Sequence, residues 1–212
     1  MESFFTLLDY QDLLQINGKD SEKFLQGQLT CDLENLPPWQ CQLGAVCNTK
    51  GRVYSSFRLL RTDNAFYLAM QSGVGGITRN TLKKYISFYK AEMADASQHF
   101  KRFGLVGQQA QEAIGKCVSG LPEPNQALEV NGDILVNLGG DIPRFEVWLN
   151  QEQGPLADVC TELNQEDKSA WQALDLGKGI LIINQKDAEQ YTPEELNMDL
   201  AGFVSWDKGC YT

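Results

Sequence analysis

The sequence predicts an α+β fold built from one order of elements, β-α-β-β-β-α, used twice. Three observations predict it: short apolar runs that alternate with period two, longer stretches with apolar residues at helical spacing, and turn residues at almost every junction between them. With 212 residues and 42% hydrophobic content, the chain is long enough for one large domain or two small intertwined ones.

Residues 13–16 read as a first strand turned by Asn17-Gly18. Asp20 or Ser21 then caps a helix to about Leu29, with Phe24, Leu25 and Gln28 at helical spacing. Pro37-Pro38 breaks the pattern, residues 41–47 form the next strand, and Asn48-Thr49-Lys50-Gly51 has the chemistry of a hairpin turn. The returning strand, 52–61, alternates. Val53, Phe57 and Leu59 share one face, and Tyr54, Ser56 and Arg58 take the other, which is left available to a ligand. Thr62-Asp63-Asn64 turns into a strand over 65–70, and a helix over 76–89 presents Ile77, Leu82, Tyr85, Ile86 and Tyr89 to the sheet. The order then repeats with a strand over 103–107, a helix over 108–117, strands near 126–131, 133–138 and 144–149, and a helix opened by Gly154-Pro155, because proline suits a first helical turn. Beyond it, Asp167 caps a helix carrying Trp171 and Leu174, Gly177 or Gly179 ends that helix, and residues 180–183 read as a final strand. The two halves divide near residue 97, as 1–97 and 98–212.

Composition excludes several classes. A net charge of −10 argues against broad binding of nucleic acid, whose phosphates require clustered lysine and arginine. The N-terminal residues carry acids and no basic leader, and no run approaches the roughly eighteen apolar residues of a membrane span, so a soluble cytoplasmic protein is expected. The six cysteines, at positions 31, 41, 47, 117, 160 and 210, have irregular spacing and no Cys-x-x-Cys pair. That pattern suggests reduced thiols and supplies no ligand set for zinc or an iron-sulfur cluster; no bound metal is expected.

His99 is the only histidine and has no Ser, Cys or Asp motif near it, which removes a hydrolase triad. The glycines at 73, 75 and 76 lack the Gly-Lys-Ser/Thr ending of a phosphate loop and read as a flexible turn. Lys50, Arg52, Arg58 and Arg61 fall on one hairpin and Lys83-Lys84 on one helix, as an anion-binding patch or as a solvated charged face. Trp171 is a stacking platform or a core residue. At the end of the chain, Lys208-Gly209-Cys210 sets an ammonium two residues before a thiol, with a glycine that permits a sharp turn. Cys210 is therefore a candidate reactive thiol and Lys208 its activator; the alternative is a small apolar residue near a fraying end.

Lys208-Gly209-Cys210-Tyr211-Thr212 resembles the start of the Lys-Gly-Cys-Phe/Tyr-Thr-Gly-Gln-Glu signature of the YgfZ-type folate-binding proteins, relatives of the glycine cleavage aminomethyltransferase or T protein. Asp20 to Thr30, Cys47 to Arg52, Leu82 to Tyr85 and Trp171 to Leu174 are similar to that family's other blocks, in the same order. The closing Gly-Gln-Glu and the C-terminal β-barrel of the family are absent from this sequence.

The resemblance implies two interleaved, ferredoxin-like β-α-β-β-β-α halves forming the aminomethyltransferase folate-binding fold. It implies tetrahydrofolate or a one-carbon derivative as cofactor, and Trp171 as a folate contact. A second aromatic belongs near the end of the N-terminal block, where Gln11 stands in register and Tyr10 is adjacent; Arg58 and Tyr54 complete the candidate contacts. It also implies an accessory role in iron-sulfur cluster assembly or repair, with iron-sulfur enzymes such as tRNA methylthiolating enzymes as partners and an indirect link to tRNA. The alternative is aminomethyltransferase activity. In those enzymes the hairpin strand carries consecutive aspartates, one of them required for catalysis, where Ser55 and Ser56 stand here. A hydroxyl does not ionise near neutrality and so does not replace such a carboxylate.

Overall fold

Two sheets with matching strand order organise the chain. The computed structural model describes residues 2–151 and 153–209. The first part of the chain forms β1 (Phe4–Leu7), β2 (Gln11–Asn17), α1 (Ser21–Gln26), β3 (Gln40–Cys47), β4 (Val53–Arg61), β5 (Ala65–Gln71), α2 (Gly75–Ile86) and β6 (Glu92–Asp95). The remainder forms β7 (Lys101–Val106), α3 (Gln108–Cys117), β8 (Ala127–Val130), β9 (Asp133–Asn137), β10 (Arg144–Leu149), α4 (Pro155–Thr161), β11 (Asn164–Gln165) and α5 (Lys168–Gly177).

The chain divides into two units, one of residues 2–10 and 98–174, the other of residues 11–97 and 175–209. The first holds a six-stranded sheet in the order β8-β9-β10-β7-β1-β11, and the second a five-stranded sheet in the order β3-β4-β5-β2-β6. The expected repeat is therefore one of topology: β3-β4-β5-β2 in one sheet answers β8-β9-β10-β7 in the other. β6 and β1 then add antiparallel to β2 and β7 respectively. The four-residue strands β1 and β6 are additions to the elements read from the sequence.

The five-stranded sheet buries Leu14, Ile16, Phe57, Leu59, Phe66 and Leu68 against Phe24 and Leu25 of α1 and Leu82 of α2. The six-stranded sheet buries Leu105, Leu135, Phe145 and Val147 against Ile114 of α3 and Leu156 and Val159 of α4. Burial of each such side chain contributes about 1.5–3 kcal/mol.

Four local readings are corrected by the structure. Asp20 precedes α1 but makes no side-chain cap; its Oδ2 accepts the Lys90 N–H at 2.9 Å. The glycine turn before α2 is tied: Asp12 Oδ2 accepts the N–H groups of Gly73 and Gly75, both at 2.9 Å, and Asp12 Oδ1 accepts the Ser72 hydroxyl. A carboxylate of the chain thus takes the place that an anion has at a helix N-terminus. The alternation of β4 is broken by a register shift between Val46 and Cys47 of its partner strand β3. Val53 in consequence packs with Ile183, Met198 and Phe203, apart from Phe57 and Leu59. Residues 180–183 form no strand: Ile183 N–H donates to Ser56 Oγ at 2.8 Å, Ser56 Oγ–H donates to the Leu181 carbonyl at 3.0 Å, and Ile180 N–H turns back to the Asp175 carbonyl. The Asn48 turn forms as read, with Asn48 Oδ1 accepting the N–H groups of Lys50 and Arg52 and Gly51 at φ +74°. Asp167 Oδ1 likewise caps α5 through the Ser169 N–H.

Candidate functional site

In the six-stranded unit, period-two alternation sends the even-numbered residues of β7 and β10 to the face opposite the α3/α4 core. That face is made of buried polar and aromatic groups: Arg102, Gly104, Arg144, Glu146 and Trp148. Gly104 stands directly opposite Glu146, and Arg102 opposite Trp148. Trp171 of α5 lies over Gly104; a Cβ at position 104 would come within 2.4 Å of the indole Cε3, so only glycine leaves room for the ring. The Arg144 guanidinium sits 4.2 Å from the Trp171 ring centroid, a cation–π contact between groups that are 1% and 0% exposed. Trp148 Nε1 donates to Glu146 Oε2 at 3.0 Å, and Arg102 lies 5.8 Å from the Trp148 ring. Two cations, one carboxylate and two indoles therefore share one sheet face. Tyr10 belongs to the same unit, its buried ring 5.6 Å from the Lys168 ammonium.

Arg144, Glu146 and Arg102 were not singled out from the sequence. The signal was present in Arg144-Phe145-Glu146-Val147-Trp148-Leu149, where polar and aromatic residues alternate strictly with apolar ones inside a strand whose every position is buried.

Arg58 and Tyr54 belong to the five-stranded unit. The Arg58 guanidinium is 3.7 Å from Asp175 Oδ1, and both side chains are largely buried. Tyr54 packs against the core of its sheet, and its hydroxyl is hydrogen-bonded with Glu189; burial, with help from that carboxylate, raises its pKa. The shared face read for these two residues is thus divided by the register shift that also displaced Val53. Ser56 is engaged by residues 181 and 183, whereas Ser55 Oγ is fully buried without a hydrogen-bond partner among the described residues. Arg61 pairs with Glu22 at 2.6 Å and donates to the carbonyls of Leu33 and Leu36, which makes it a bracket of the fold.

Cys210 lies outside the described residues, together with Tyr211 and Thr212. Lys208 is within them, and its Nζ donates to the carbonyls of Gln26, Leu29 and Cys31 at 2.8, 2.6 and 2.8 Å. These carbonyls lie at and beyond the C-terminal end of α1, where a cation is favoured. Burial pulls the Lys208 pKa below its usual value, against the opposing influence of Cys31 and Asp32. Further bonds dock the same segment: Thr30 Oγ1 donates to the Phe203 carbonyl, Ser205 N–H to the Thr30 carbonyl, and Asp32 N–H to Ser205 Oγ. Lys208→Met is expected to lower stability by about 1–3 kcal/mol, because it leaves carbonyls without a charged donor. Equilibrium urea denaturation measures this, and an unchanged midpoint contradicts the anchoring role.

Among the described residues no helix is long and apolar enough to cross a membrane. Residues 6–130 match the family described as the GCVT N-terminal domain. Among curated proteins, the tRNA-modifying protein YgfZ of Edwardsiella ictaluri is 31% identical over 98% of this chain and 64% of its own length. The protein of the same name from Klebsiella pneumoniae is 32% identical over 97% of this chain and 63% of its own. The chain thus spans a little under two thirds of the length of these relatives. Among solved structures, the glycine cleavage system aminomethyltransferase T from Bartonella henselae superposes with a TM-score of 0.74 at 19% identity, covering 91% of this chain and 55% of that one. A heterotetrameric sarcosine oxidase from a Corynebacterium species gives a TM-score of 0.54 at 15% identity over 76% of this chain and 85% of its own. These two likenesses establish the fold.

Proposed function

The chain belongs to the GCVT N-terminal domain family, and from that premise we propose that it binds tetrahydrofolate or a one-carbon derivative as an accessory protein of iron-sulfur cluster assembly or repair in the cytoplasm. The observation that supports folate binding is the grouping of Trp171, Arg144 and Glu146 on one sheet face. A pterin is a flat heterocycle with N–H donors along one edge. An indole and a guanidinium have flat surfaces of the kind such a ring stacks on, and a carboxylate is an acceptor for that edge; all three are buried here, at 0, 1 and 2% exposure. The relatives named tRNA-modifying protein YgfZ supply the link to tRNA. A net charge of −10 favours an indirect link, through iron-sulfur enzymes such as those that methylthiolate tRNA, over direct contact with nucleic acid.

The chemistry of β4 argues against the enzymatic alternative. Where the resemblance implies consecutive aspartates in the aminomethyltransferases, this strand carries Ser56, whose hydroxyl is engaged by residues 181 and 183, and Ser55, which is buried. Supplied with aminomethylated carrier protein and tetrahydrofolate, the chain is expected to bind the folate in a calorimetric titration yet release no ammonia above the uncatalysed rate. Absence of binding defeats the folate reading; turnover defeats the accessory one.

We assign Cys210, two residues after Lys208 in the sequence, as the thiol of this function. Its alkylation rate is expected to follow a pKa below that of free cysteine, about 8.5. The Cys210→Ser variant serves as control. An ordinary thiol titration, together with full complementation by Cys210→Ser of a strain lacking the gene, overturns the assignment.

A further inference from the structure

The α3/α4 side of the six-stranded sheet carries an opening unrelated to the polar face. α4 is seven residues long, and beside it a cavity of about 550 Å³ reaches the sheet at Phe5, Leu7, Phe103 and Leu149. Cys160 of α4 lines one wall, and Asn164 and Gln165 of β11 stand at the margin. This volume falls within the range of small-molecule sites, about 300–1,000 Å³. Phe5 and Phe103 meet edge-to-face with centroids 6.0 Å apart, which makes the floor a rigid aromatic surface.

One charged residue lines the cavity, Lys101. Its ammonium is 5.5 Å from the Phe103 ring centroid and forms no ion pair with a carboxylate among the described residues. Lys101 is itself exposed, so its ammonium stands at the open margin of the apolar hollow. Placed at the edge of an apolar volume, it is complementary to a single negative charge on an apolar body.

We propose that this cavity binds a small amphipathic monocarboxylate, its alkyl or aryl body against Phe5, Leu7, Phe103 and Leu149 and its carboxylate on Lys101 Nζ. The amides of Asn164 and Gln165 supply further donors at the margin. The site is independent of the folate reading, since it lies on the other face of the sheet and shares no residue with Trp171, Arg144 or Glu146.

The test is a calorimetric titration of the full chain with octanoate, alongside hexanoate, octylamine and octanol. Octanoate is expected to bind saturably, with each methylene from hexanoate upward tightening binding about three- to fourfold. Octylamine is expected not to bind. Lys101→Gln should weaken octanoate at least fivefold and leave octanol unchanged, while Ala157→Trp, which fills the hollow from its half-exposed rim, should abolish both. Octanoate should also slow alkylation of Cys160 in the unmodified chain. No saturable octanoate binding up to about 10 mM, a limit of weak association, overturns the proposal. So does equal binding of octylamine, or octanoate binding that both variants retain. A concentration-dependent dimer that Ala157→Trp abolishes, without octanoate binding, would assign the face to a second copy of the chain and equally overturn it.

Discussion

Trp171→Ala lowers the stability of the chain by about 3–5 kcal/mol, the range for removing a large buried aromatic. The residue is fully buried, and its loss opens a cavity over Gly104 while stripping the cation–π partner from a buried guanidinium. Urea denaturation reads the change directly. Gly104→Ala attacks the same contact from the other side, because its methyl group enters the indole at 2.4 Å. Overpacking of that kind costs about 1–3 kcal/mol. The two effects are not additive: in the Trp171→Ala background the added methyl fills vacated space, so the double variant is more stable than the sum of the singles implies. Simple additivity in this cycle refutes the packing described. Trp171→Phe keeps a ring and most of the burial, and it is the variant in which tetrahydrofolate affinity is to be measured. A loss of about tenfold corresponds to 1.4 kcal/mol of missing stacking and contact. An unchanged affinity in folded Trp171→Phe and Trp171→Ala proteins leaves Trp171 as core alone.

The second large effect is a loss of stability in alkali. Burial raises the thiols of Cys31 and Cys47 from an ordinary 9.0 to about 12, and that of Cys160 to about 11. In the unfolded chain these groups ionise near 9, while in the folded chain they stay protonated across the interval up to the raised values. The folded protein then holds more protons than the unfolded one, so stability falls as pH rises. It is present in full below the unfolded pKa and is lost progressively through the window from about 9 to about 12. Each thiol contributes about 1.4 kcal/mol per pH unit within its own window. Unfolding free energies from denaturation curves taken between pH 8 and 11 should drop by several kcal/mol in total, at that rate for each thiol. The decline should be visibly shallower in a Cys31→Ala/Cys47→Ala double variant. Since lysine and tyrosine titrate in both proteins, the difference in slope is the diagnostic quantity, and equal slopes remove the cysteines as its cause.

Much of the architecture was legible because periodicity reports burial. The boundaries of α3 and β10 and the Gly154-Pro155 start of α4 follow directly from the spacing of apolar residues and from turn chemistry. Legibility failed wherever a distant partner decided the outcome. Phe4–Leu7 has too few residues to show alternation, and it is a strand because β7 and β11 pair with it. Residues 180–183 have strand composition, yet a serine hydroxyl on β4 takes their backbone groups. The facing of Tyr54 and Arg58 depended on a bulge in β4, where Tyr54 is the extra residue between Val53, opposite Cys47, and Ser55, opposite Val46, and simple alternation does not encode it. For the candidate site, Trp171 was found through resemblance, whereas Arg144 and Glu146 passed as ordinary strand positions because a sequence does not say which sheet face is closed over. Lys208 was read for its charge beside a thiol, and its three carbonyl acceptors lie some 180 residues away in the chain.

The placement of β1 has a consequence for biosynthesis. Leu7 pairs with Phe103 and Phe4 with Val106, so β1 leaves the ribosome with its neighbour roughly a hundred residues behind it. At about 5–20 residues per second, that neighbour follows after some 5 to 20 s. During that interval β2 through β6 emerge and complete their own sheet, whose pairings all fall within residues 11–97. The nascent chain therefore carries Phe4-Phe5-Thr6-Leu7 as an unpaired apolar strand throughout the folding of its neighbour, a template for edge-to-edge pairing between chains on one polysome.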